Sequence, residues 1–335
     1  MRSARLSLAL DTGAIVLPAT GPIAVFGPRA GDDLSALPKD RLAVVTTFRP
    51  DYDAFERAGY AVSTDPAGPY AAALVCLPRA RAAARAQIAA AAAQLPEGAP
   101  IVVDGQKTDG VDACLKEVRK RIEVGEAVAK AHGKLFAFAS PGAAAFADWA
   151  ARPQILEGGF QTLPGVFSAD GIDKGSALLA GALPRKLPRR IADLGAGWGY
   201  LARAILAREG VEELHLVEAD KAALDCARVN VTDPRARFHW ADATTFRLPG
   251  PVDAVVTNPP FHTTRAAEPA LGTAFLRTAA AMLTPSGDLW LVANRHLPYE
   301  RDLAEIFRDV TEIAGNSGFK VLHAHRPLPP SRPRR

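Results

Sequence analysis

Short apolar runs alternate with alanine-rich amphipathic stretches along most of the chain. In the second half we assign the apolar runs to strands at Ile191–Leu194, Leu214–Val217, Phe238–Trp240, Ala254–Thr257 and Leu289–Val292. Helical patterns lie between them, at Tyr200–Arg208, Lys221–Val229 and Glu268–Leu283. Strands that alternate with helices are typical of βα units, so the pattern predicts an α/β fold on a mostly parallel sheet.

The first half repeats this alternation, with predicted strands at Ile23–Phe26, Leu42–Thr47, Ala72–Cys76 and Ile101–Val103. One stretch is a faint copy of the second half. Ala72–Pro78 precedes an alanine-rich helix and a Pro-Glu-Gly turn, as Asp253–Pro259 precedes an alanine-rich helix and a Pro-Ser-Gly turn. This self-similarity predicts duplicated domains, and chance similarity between two generic βαβ units is the alternative.

Proline and glycine residues that interrupt the periodic pattern indicate where these domains begin and end. Pro153, Gly158 and Gly159 interrupt the periodic pattern, so we predict a first domain over 1–150 and a second over 151–326. The remaining residues, 327–335, are rich in proline and arginine, which predicts a flexible basic tail. At the other end, the apolar run Leu6–Leu10 is too short for a secretory signal, and we predict a strand there.

Composition narrows the class of protein without naming a function. The chain has 335 residues, a formal net charge of +4 and three cysteines that show no Cys-x-x-Cys spacing. We therefore expect neither a disulfide framework nor a metal site, and we expect a monomer in a reducing cytoplasm. No apolar run approaches the roughly 18 residues of a membrane-spanning helix, so we expect no membrane association. The mild basic charge would favour a polyanionic partner but does not establish one.

The strongest chemical signal follows the strand that ends in Asp193. Gly195, Gly197 and Gly199 come next and then a helix begins, which allows a ligand to lie directly against the backbone. A dinucleotide fingerprint requires the spacing GxGxxG, and Tyr200 stands at its third glycine position. The spacing therefore weakens a dehydrogenase interpretation.

Two further predicted strands also end in acidic residues. Glu218 lies roughly 20 residues beyond the glycine loop, where a carboxylate can accept hydrogen bonds from both hydroxyls of a ribose. Asp242 follows the next strand and could accept from an adenine amino group. For Asp242 considered alone, capping of a turn or a helix is the alternative.

The next predicted strand is followed directly by the sequence Asn258-Pro259-Pro260-Phe261-His262. The two prolines hold the backbone extended and remove two N–H donors, which leaves carbonyls and the Asn258 side-chain oxygen free to accept. Such acceptors suit an amino group that must be oriented while its lone pair attacks. Phe261 adds a face on which a planar base could stack.

Together these residues resemble the class I S-adenosylmethionine-dependent methyltransferases, and Asn-Pro-Pro-Phe-His is similar to the rRNA small-subunit methyltransferase C family of guanine-N2 enzymes. Other segments resemble that family too, among them Leu163–Ser168, the Asp170–Asp173 stretch with Gly175-Ser176, and Phe319–Val321. The resemblance implies two methyltransferase-like, Rossmann-like doubly wound domains, of which only the second binds cofactor. The substrate it implies is rRNA or a ribosomal subunit.

Carried onto this sequence, the resemblance gives each site residue a role. Asp193, Gly195 and Gly197 would hold the methionine part of S-adenosylmethionine, Glu218 the ribose and Asp242 the adenine. Asn258 would contact both the cofactor and the target amine, with Pro259 and Phe261 as its catalytic partners.

The first half is predicted to be degenerate, with a role in recognition or as a scaffold. Leu77 is aligned there with Asn258, and a leucine side chain cannot accept a hydrogen bond. Arg29 follows the first strand, where it would repel a cationic cofactor. The alternatives left open are an amino methyltransferase acting on large-subunit rRNA, DNA or a protein glutamine, and an RNA-binding protein with a decayed cofactor site.

Overall fold

A computed structural model of the chain describes residues 2–260 and 269–329. The chain divides into two compact units. Unit 1 consists of Met1–Pro153 with Leu163–Gly165, and unit 2 consists of Gln154–Thr162 with Val166–Arg335. A short hairpin of β8 (Gln154–Ile155) and β9 (Gln161–Thr162) opens unit 2.

Unit 1 is built on one seven-stranded sheet in the order β3-β2-β1-β4-β5-β7-β6. Its strands are β1 (Ile23–Phe26), β2 (Leu42–Val45), β3 (Ala61–Ser63), β4 (Ala72–Cys76), β5 (Pro100–Gln106), β6 (Val128–Lys130) and β7 (Gly133–Ala139). Its helices are α1 (Arg2–Asp11), α2 (Arg49–Arg57), α3 (Arg81–Gln94) and α4 (Val111–Arg119). The first five strands run parallel, whereas β7 is antiparallel to both β5 and β6.

Unit 2 has a second seven-stranded sheet, in the order β12-β11-β10-β13-β14-β16-β15. Its strands are β10 (Arg190–Leu194), β11 (Glu213–Glu218), β12 (Ala236–Trp240), β13 (Val252–Thr257), β14 (Leu283–Asn294), β15 (Phe307–Gly315) and β16 (Phe319–Pro327). Its described helices are α5 (Lys174–Ala182), α6 (Tyr200–Leu206), α7 (Lys221–Asn230), α8 (Pro269–Met282) and α9 (Tyr299–Ala304).

The two sheets have the same strand order, and each is covered by helices on both faces. In unit 1, side chains of α3 and α4 form one core layer, while α1 and α2 contribute to the layer on the opposite face. In unit 2, side chains of α5, α6 and α7 form one core layer, and side chains of α8 and α9 contribute to the layer on the opposite face. The predicted α/β fold with two Rossmann-like doubly wound units is therefore confirmed.

Backbone hydrogen bonds fix how the two sheets correspond, residue by residue. Gly27 N–H donates to Val45 O over 2.9 Å after β1, and Gly195 N–H donates to Val217 O over 2.9 Å after β10. In this register the residue that corresponds to Asn258 is Cys76. The alignment of Leu77 with Asn258 was wrong by one residue, because it relied on the following prolines rather than on the paired strand ends.

Two local predictions were also wrong. Leu6–Leu10 belongs to helix α1 and not to a strand, because Arg5, Leu6 and Ala9 are buried along one face of that helix. The flexible tail does not begin at 327: Pro327 ends β16, and Leu328 N–H donates to Ile306 O over 2.7 Å. Residues 330–335 lie outside the described part of the chain.

Among the helices of residues 2–260 and 269–329, none combines the length and the apolar character that a membrane span requires.

Candidate active site

The glycine loop joins β10 to α6 through three left-handed residues, Gly195 (φ 74°), Gly197 (φ 56°) and Gly199 (φ 92°). A side chain would be strained at each of these angles, which explains the spacing seen in the sequence. At Gly197 a Cβ atom would meet no other atom within 4 Å, so the backbone there borders open space. The loop thus presents bare main chain at the carboxyl edge of the sheet.

Glu218 ends the neighbouring strand β11 and holds this loop in place. Its Oε2 accepts from Gly197 N–H over 2.8 Å, and its Oε1 accepts from Asp220 N–H over 2.8 Å. Each carboxylate oxygen has two acceptor positions, so the carboxylate keeps the capacity to accept from a ligand hydroxyl. Burial raises the pKa of Glu218 to about 7, against the opposing effect of these two hydrogen bonds.

Asp193, in β10, is fully buried, and among the described residues neither of its carboxylate oxygens has a hydrogen-bond partner. Burial, together with the negative charge of Glu218, raises the pKa of Asp193 to about 8. A buried carboxylate without a partner is costly, so its presence indicates a ligand that brings positive charge or N–H donors.

Asp242 follows β12 and takes part in its own turn. Its Oδ1 accepts from the N–H and the hydroxyl of Thr244, over 2.8 and 2.7 Å. The backbone brings it beside Glu218, because Ala241 N–H donates to Glu218 O over 3.0 Å. Asp242 therefore caps its own turn, which is the alternative that the sequence also allows. The other carboxylate oxygen, Oδ2, is left to accept from a base.

Asn258 follows β13 and is oriented by residues from another part of unit 2. Its Nδ2 donates to Asp173 Oδ1 over 2.9 Å and to Ser176 Oγ over 2.9 Å. Asp173 is also the N-cap of α5, since its Oδ1 accepts from Ser176 N–H over 2.8 Å. Both amide hydrogens of Asn258 are thus engaged, and its oxygen is the group left to accept.

The glycine loop, Asn258 and the start of α5 meet in one cleft, whose lining includes Phe167, Asp173, Ser176, Gly195, Gly197 and Asn258. Phe167 is conspicuous because 62% of its surface is exposed. Its backbone is nevertheless anchored: Trp198 Nε1–H donates to Phe167 O over 2.9 Å, and the next residue, Ser168, has φ 52°. An exposed aromatic ring on an anchored backbone therefore stands at the site.

The structure brings most of the predicted site residues together. Gly195, Gly197 and Asn258 line the cleft, Glu218 bonds to the loop, and Asp193 lies beneath it. Phe261 and His262 lie outside the described residues. No role was predicted for Phe167, Asp173 or Ser176, although the Asp-x-x-Ser spacing at the start of α5 is a recognisable helix N-terminus. Within the described ranges no cluster of three or more His, Cys, Asp or Glu side chains could hold a metal ion.

Comparison with known proteins identifies the family. The protein-family model of the methyltransferase small domain matches residues 157–323 of this chain. A ribosomal RNA small subunit methyltransferase C from Hahella chejuensis is 30% identical over 75% of this chain and 76% of its own length. The corresponding protein of Shewanella halifaxensis is 30% identical over 74% of this chain and 75% of its own. The chain belongs to the ribosomal RNA small subunit methyltransferase C family.

A solved member of this family has the same two-domain architecture. It is a T. thermophilus 16S rRNA N2-guanine methyltransferase in complex with AdoMet and guanosine. The superposition has a TM-score of 0.80 at 26% identity and covers 97% of this chain and 91% of the other. A second group of relatives matches over a shorter stretch: a ribosomal RNA large subunit methyltransferase G from Ectopseudomonas mendocina is 37% identical over 48% of this chain and 44% of its own length.

Proposed function

We propose that this protein transfers a methyl group from S-adenosylmethionine to the exocyclic N2 amine of a guanine in small-subunit rRNA. The observation that carries the proposal is that the bare glycine loop and Asn258 line one cleft in unit 2, where Asp173 accepts from the Asn258 Nδ2. Membership of a family of rRNA methyltransferases, together with the guanosine-bound neighbour, supports guanine as the target base.

The unpartnered groups of the site fit this cofactor. S-adenosylmethionine supplies an activated methyl group on a positively charged sulfonium, so the transfer requires neither a metal nor a covalent enzyme nucleophile. The buried Asp193 carboxyl group becomes the negative partner of the cationic methionine part when it ionises on binding, and the open space at Gly197 leaves room for that part. The Glu218 carboxylate keeps acceptor capacity for the ribose hydroxyls, and we assign Asp242 Oδ2 to the adenine amino group.

Asn258 and Pro259 act on the target amine by orienting it. The exocyclic nitrogen of guanine is a poor nucleophile, because its lone pair is delocalised into the ring. Acceptors at Asn258 Oδ1 and at the Pro259 carbonyl direct that lone pair and stabilise the positive charge that develops on nitrogen during transfer. The proton can then leave to water, so positioning accounts for most of the rate.

Phe167 offers the target base a stacking surface in addition to the predicted Phe261. A base that is paired in RNA must leave its stack to reach a buried site, at a cost of a few kcal/mol. Stacking on an aromatic ring contributes about 1–3 kcal/mol per base, enough to offset much of that cost. The exposed ring of Phe167, anchored through its backbone at the cleft, is suited to this role.

The proposal is tested by incubating the purified protein with S-adenosylmethionine and either assembled small subunits or 16S rRNA, both isolated from cells that lack the gene. Mass mapping of the digested RNA should find N2-methylguanosine at one position. Asn258→Ala protein serves as the control for contaminating activity. Absence of methylated guanine from both substrates, with a folded protein that binds the cofactor, would refute the proposal.

Large-subunit rRNA is the second candidate substrate, because the large subunit methyltransferase G relatives reach 37% identity in the region they share. The same assay with large subunits and 23S rRNA separates the two, since each candidate predicts N2-methylguanosine in one RNA only. Methylation confined to 23S rRNA would identify large-subunit rRNA as the substrate, and the proposed methyl transfer to guanine N2 would be unchanged.

Our proposal includes a cytoplasmic monomer that works on rRNA without membrane attachment. The glycine loop, Phe167, Asp173 and Asn258 that line the cleft all belong to unit 2, which is the arrangement a monomeric enzyme requires. Sedimentation of the purified protein at micromolar concentration checks the oligomeric state, and a dimer would contradict this part of the proposal.

A further inference from the structure

The orientation of the Asn258 amide depends on a residue 85 positions away in the sequence. Asp173 Oδ1 accepts from Asn258 Nδ2, and Ser176 Oγ lies at the same distance from that nitrogen, 2.9 Å. Rotating the amide by half a turn would place Oδ1 of Asn258 against the carboxylate. Since an ionised carboxylate has no hydrogen to donate, only one of the two orientations is favourable there.

Asp173 is itself held rigidly at the start of helix α5. Its Oδ1 accepts from Ser176 N–H over 2.8 Å, which fixes the carboxylate relative to the helix. Gly175 is part of this arrangement, because a Cβ atom at that position would lie 3.1 Å from Asp173 Oδ1 and 3.2 Å from the Phe319 ring. The carboxylate is therefore set by the helix terminus before any ligand arrives.

We propose that Asp173 is a positioning residue for methyl transfer, which fixes the Asn258 amide with its oxygen toward the target amine. The inference rests on the proposed function, because it assigns that oxygen to the amine. Without the carboxylate, the amide can present its NH2 group to the amine, and in that orientation no acceptor meets the developing positive charge. Asp173 then acts through Asn258 alone.

Substitutions at Asp173 separate this role from helix capping. Serine is as good an N-cap as aspartate but is too short to reach Asn258, whereas asparagine keeps an acceptor oxygen at the same position. We expect Asp173→Ser to lower the single-turnover rate about 10- to 100-fold, as expected for partial loss of a preorganised contact. Asp173→Asn should stay within about fivefold of the parent, and S-adenosylmethionine affinity should change less than about threefold in both.

A double-mutant cycle tests whether Asp173 works through Asn258. In the Asn258→Ala background, Asp173→Ser should cause no further loss of rate, because the group it positions is already gone. Independent, multiplicative losses would overturn the proposal. Equal impairment in Asp173→Ser and Asp173→Asn would also overturn it, since that result assigns a direct role to the charge.

A readout that does not depend on activity keeps this inference distinct from the proposed function. The side-chain NH2 of Asn258, assigned by its absence in Asn258→Ala, should exchange slowly with water in the parent and in Asp173→Asn, and rapidly in Asp173→Ser. Identical exchange in all three proteins would overturn the positioning role even if the enzyme methylates rRNA. Slow exchange in the parent without any methylation of guanine would instead refute only the proposed function.

Discussion

The two units have the same strand order, yet the carboxyl edges of their sheets have opposite chemistry. Each edge includes a fully buried aspartate. In unit 1, Asp104 accepts from Arg5 Nε over 2.5 Å, from Arg5 Nη2 over 2.9 Å and from Arg2 Nη1 over 2.5 Å. In unit 2, Asp193 has no partner among the described residues. The fold supplies charged partners for the carboxylate of Asp104, and the described residues supply none for the carboxyl group of Asp193.

The strand ends repeat this contrast at matched positions. Asp193, Glu218 and Asn258 of unit 2 correspond to Val25, Thr46 and Cys76 of unit 1. The space beside the unit 1 loop is filled as well: the Gln87 amide lies against Gly27. Asp51 accepts from Ala30 N–H over 2.8 Å and pairs with Arg29 over 3.2 Å. The sheet therefore supplies a position for a site, and the side chains at its edge decide whether one exists.

The largest expected effect is on the free energy of unfolding and concerns Asp104, the carboxylate that is paired with two arginines in unit 1. Asp104→Ala removes the carboxylate and leaves two guanidinium groups without it, of which that of Arg5 is buried. Breaking a buried pair in this way typically lowers the free energy of unfolding by about 3–5 kcal/mol. Chemical denaturation measures it. Asp148→Ala, which removes an exposed ion pair with Arg121, is the control and should barely move the midpoint.

The second-largest expected effect concerns Asn258, at the carboxyl edge of the unit 2 sheet. Asn258→Ala deletes the acceptor but keeps the strand and both prolines, so the methylation rate should fall about 100- to 1000-fold, as is typical for loss of one transition-state contact. Binding of S-adenosylmethionine, measured by calorimetry, should stay near the parental value. A parental rate under single-turnover conditions would make the Asn-Pro-Pro sequence a simple turn.

Glu218 and Thr46 provide a matched pair of strand ends. Glu218→Ala should weaken S-adenosylmethionine binding by about 1–3 kcal/mol, the usual cost of leaving polar partners unpaired. Thr46→Val makes the corresponding change in unit 1 and should leave the dissociation constant unchanged. If both variants bound the cofactor as tightly as the parent, Glu218 would have no place in the site.

The buried carboxyl group of Asp193 predicts that the stability of the protein without cofactor depends on pH. Since folding raises the pKa of Asp193 to about 8, the unfolded chain ionises more easily. The contribution of this group is therefore complete below about pH 4 and is lost as the pH rises through about 8. Asp193→Asn should flatten this slope and raise the free energy of unfolding at pH 8 by about 1–3 kcal/mol, while cofactor binding is lost. An unchanged slope in calorimetry would contradict the assignment.

The smallest effect concerns Cys76, which occupies the position of Asn258 in unit 1. The thiol is buried, and burial raises its pKa to about 12. Cys76→Ala should change the rate of methyl transfer less than about twofold, since a structural position affects stability rather than turnover. A rate loss comparable to that of Asn258→Ala, in a protein with parental stability, would mean that unit 1 takes part in the reaction.

The sequence by itself determined the features whose signal is local. Apolar runs located β1, β4 and most of the parallel strands, because a buried strand flanked by helices has a recognisable period. The glycine spacing followed from three residues with positive φ, and the acidic strand ends and Asn258 followed from their positions after those strands. These features could be predicted because each depends on neighbours a few residues away.

Only the tertiary structure decided the features that depend on distant contacts. The antiparallel strands β7, β15 and β16 were not predicted, and helix α1 was taken for a strand, although Arg5 in α1 pairs with Asp104, 99 residues away. Register alone showed that Cys76 corresponds to Asn258, and packing alone brought Asp173 to that amide. Hydrogen-bond geometry between residues far apart in the chain leaves no periodic trace in the sequence, so the orientation of the amide is a property of the folded protein.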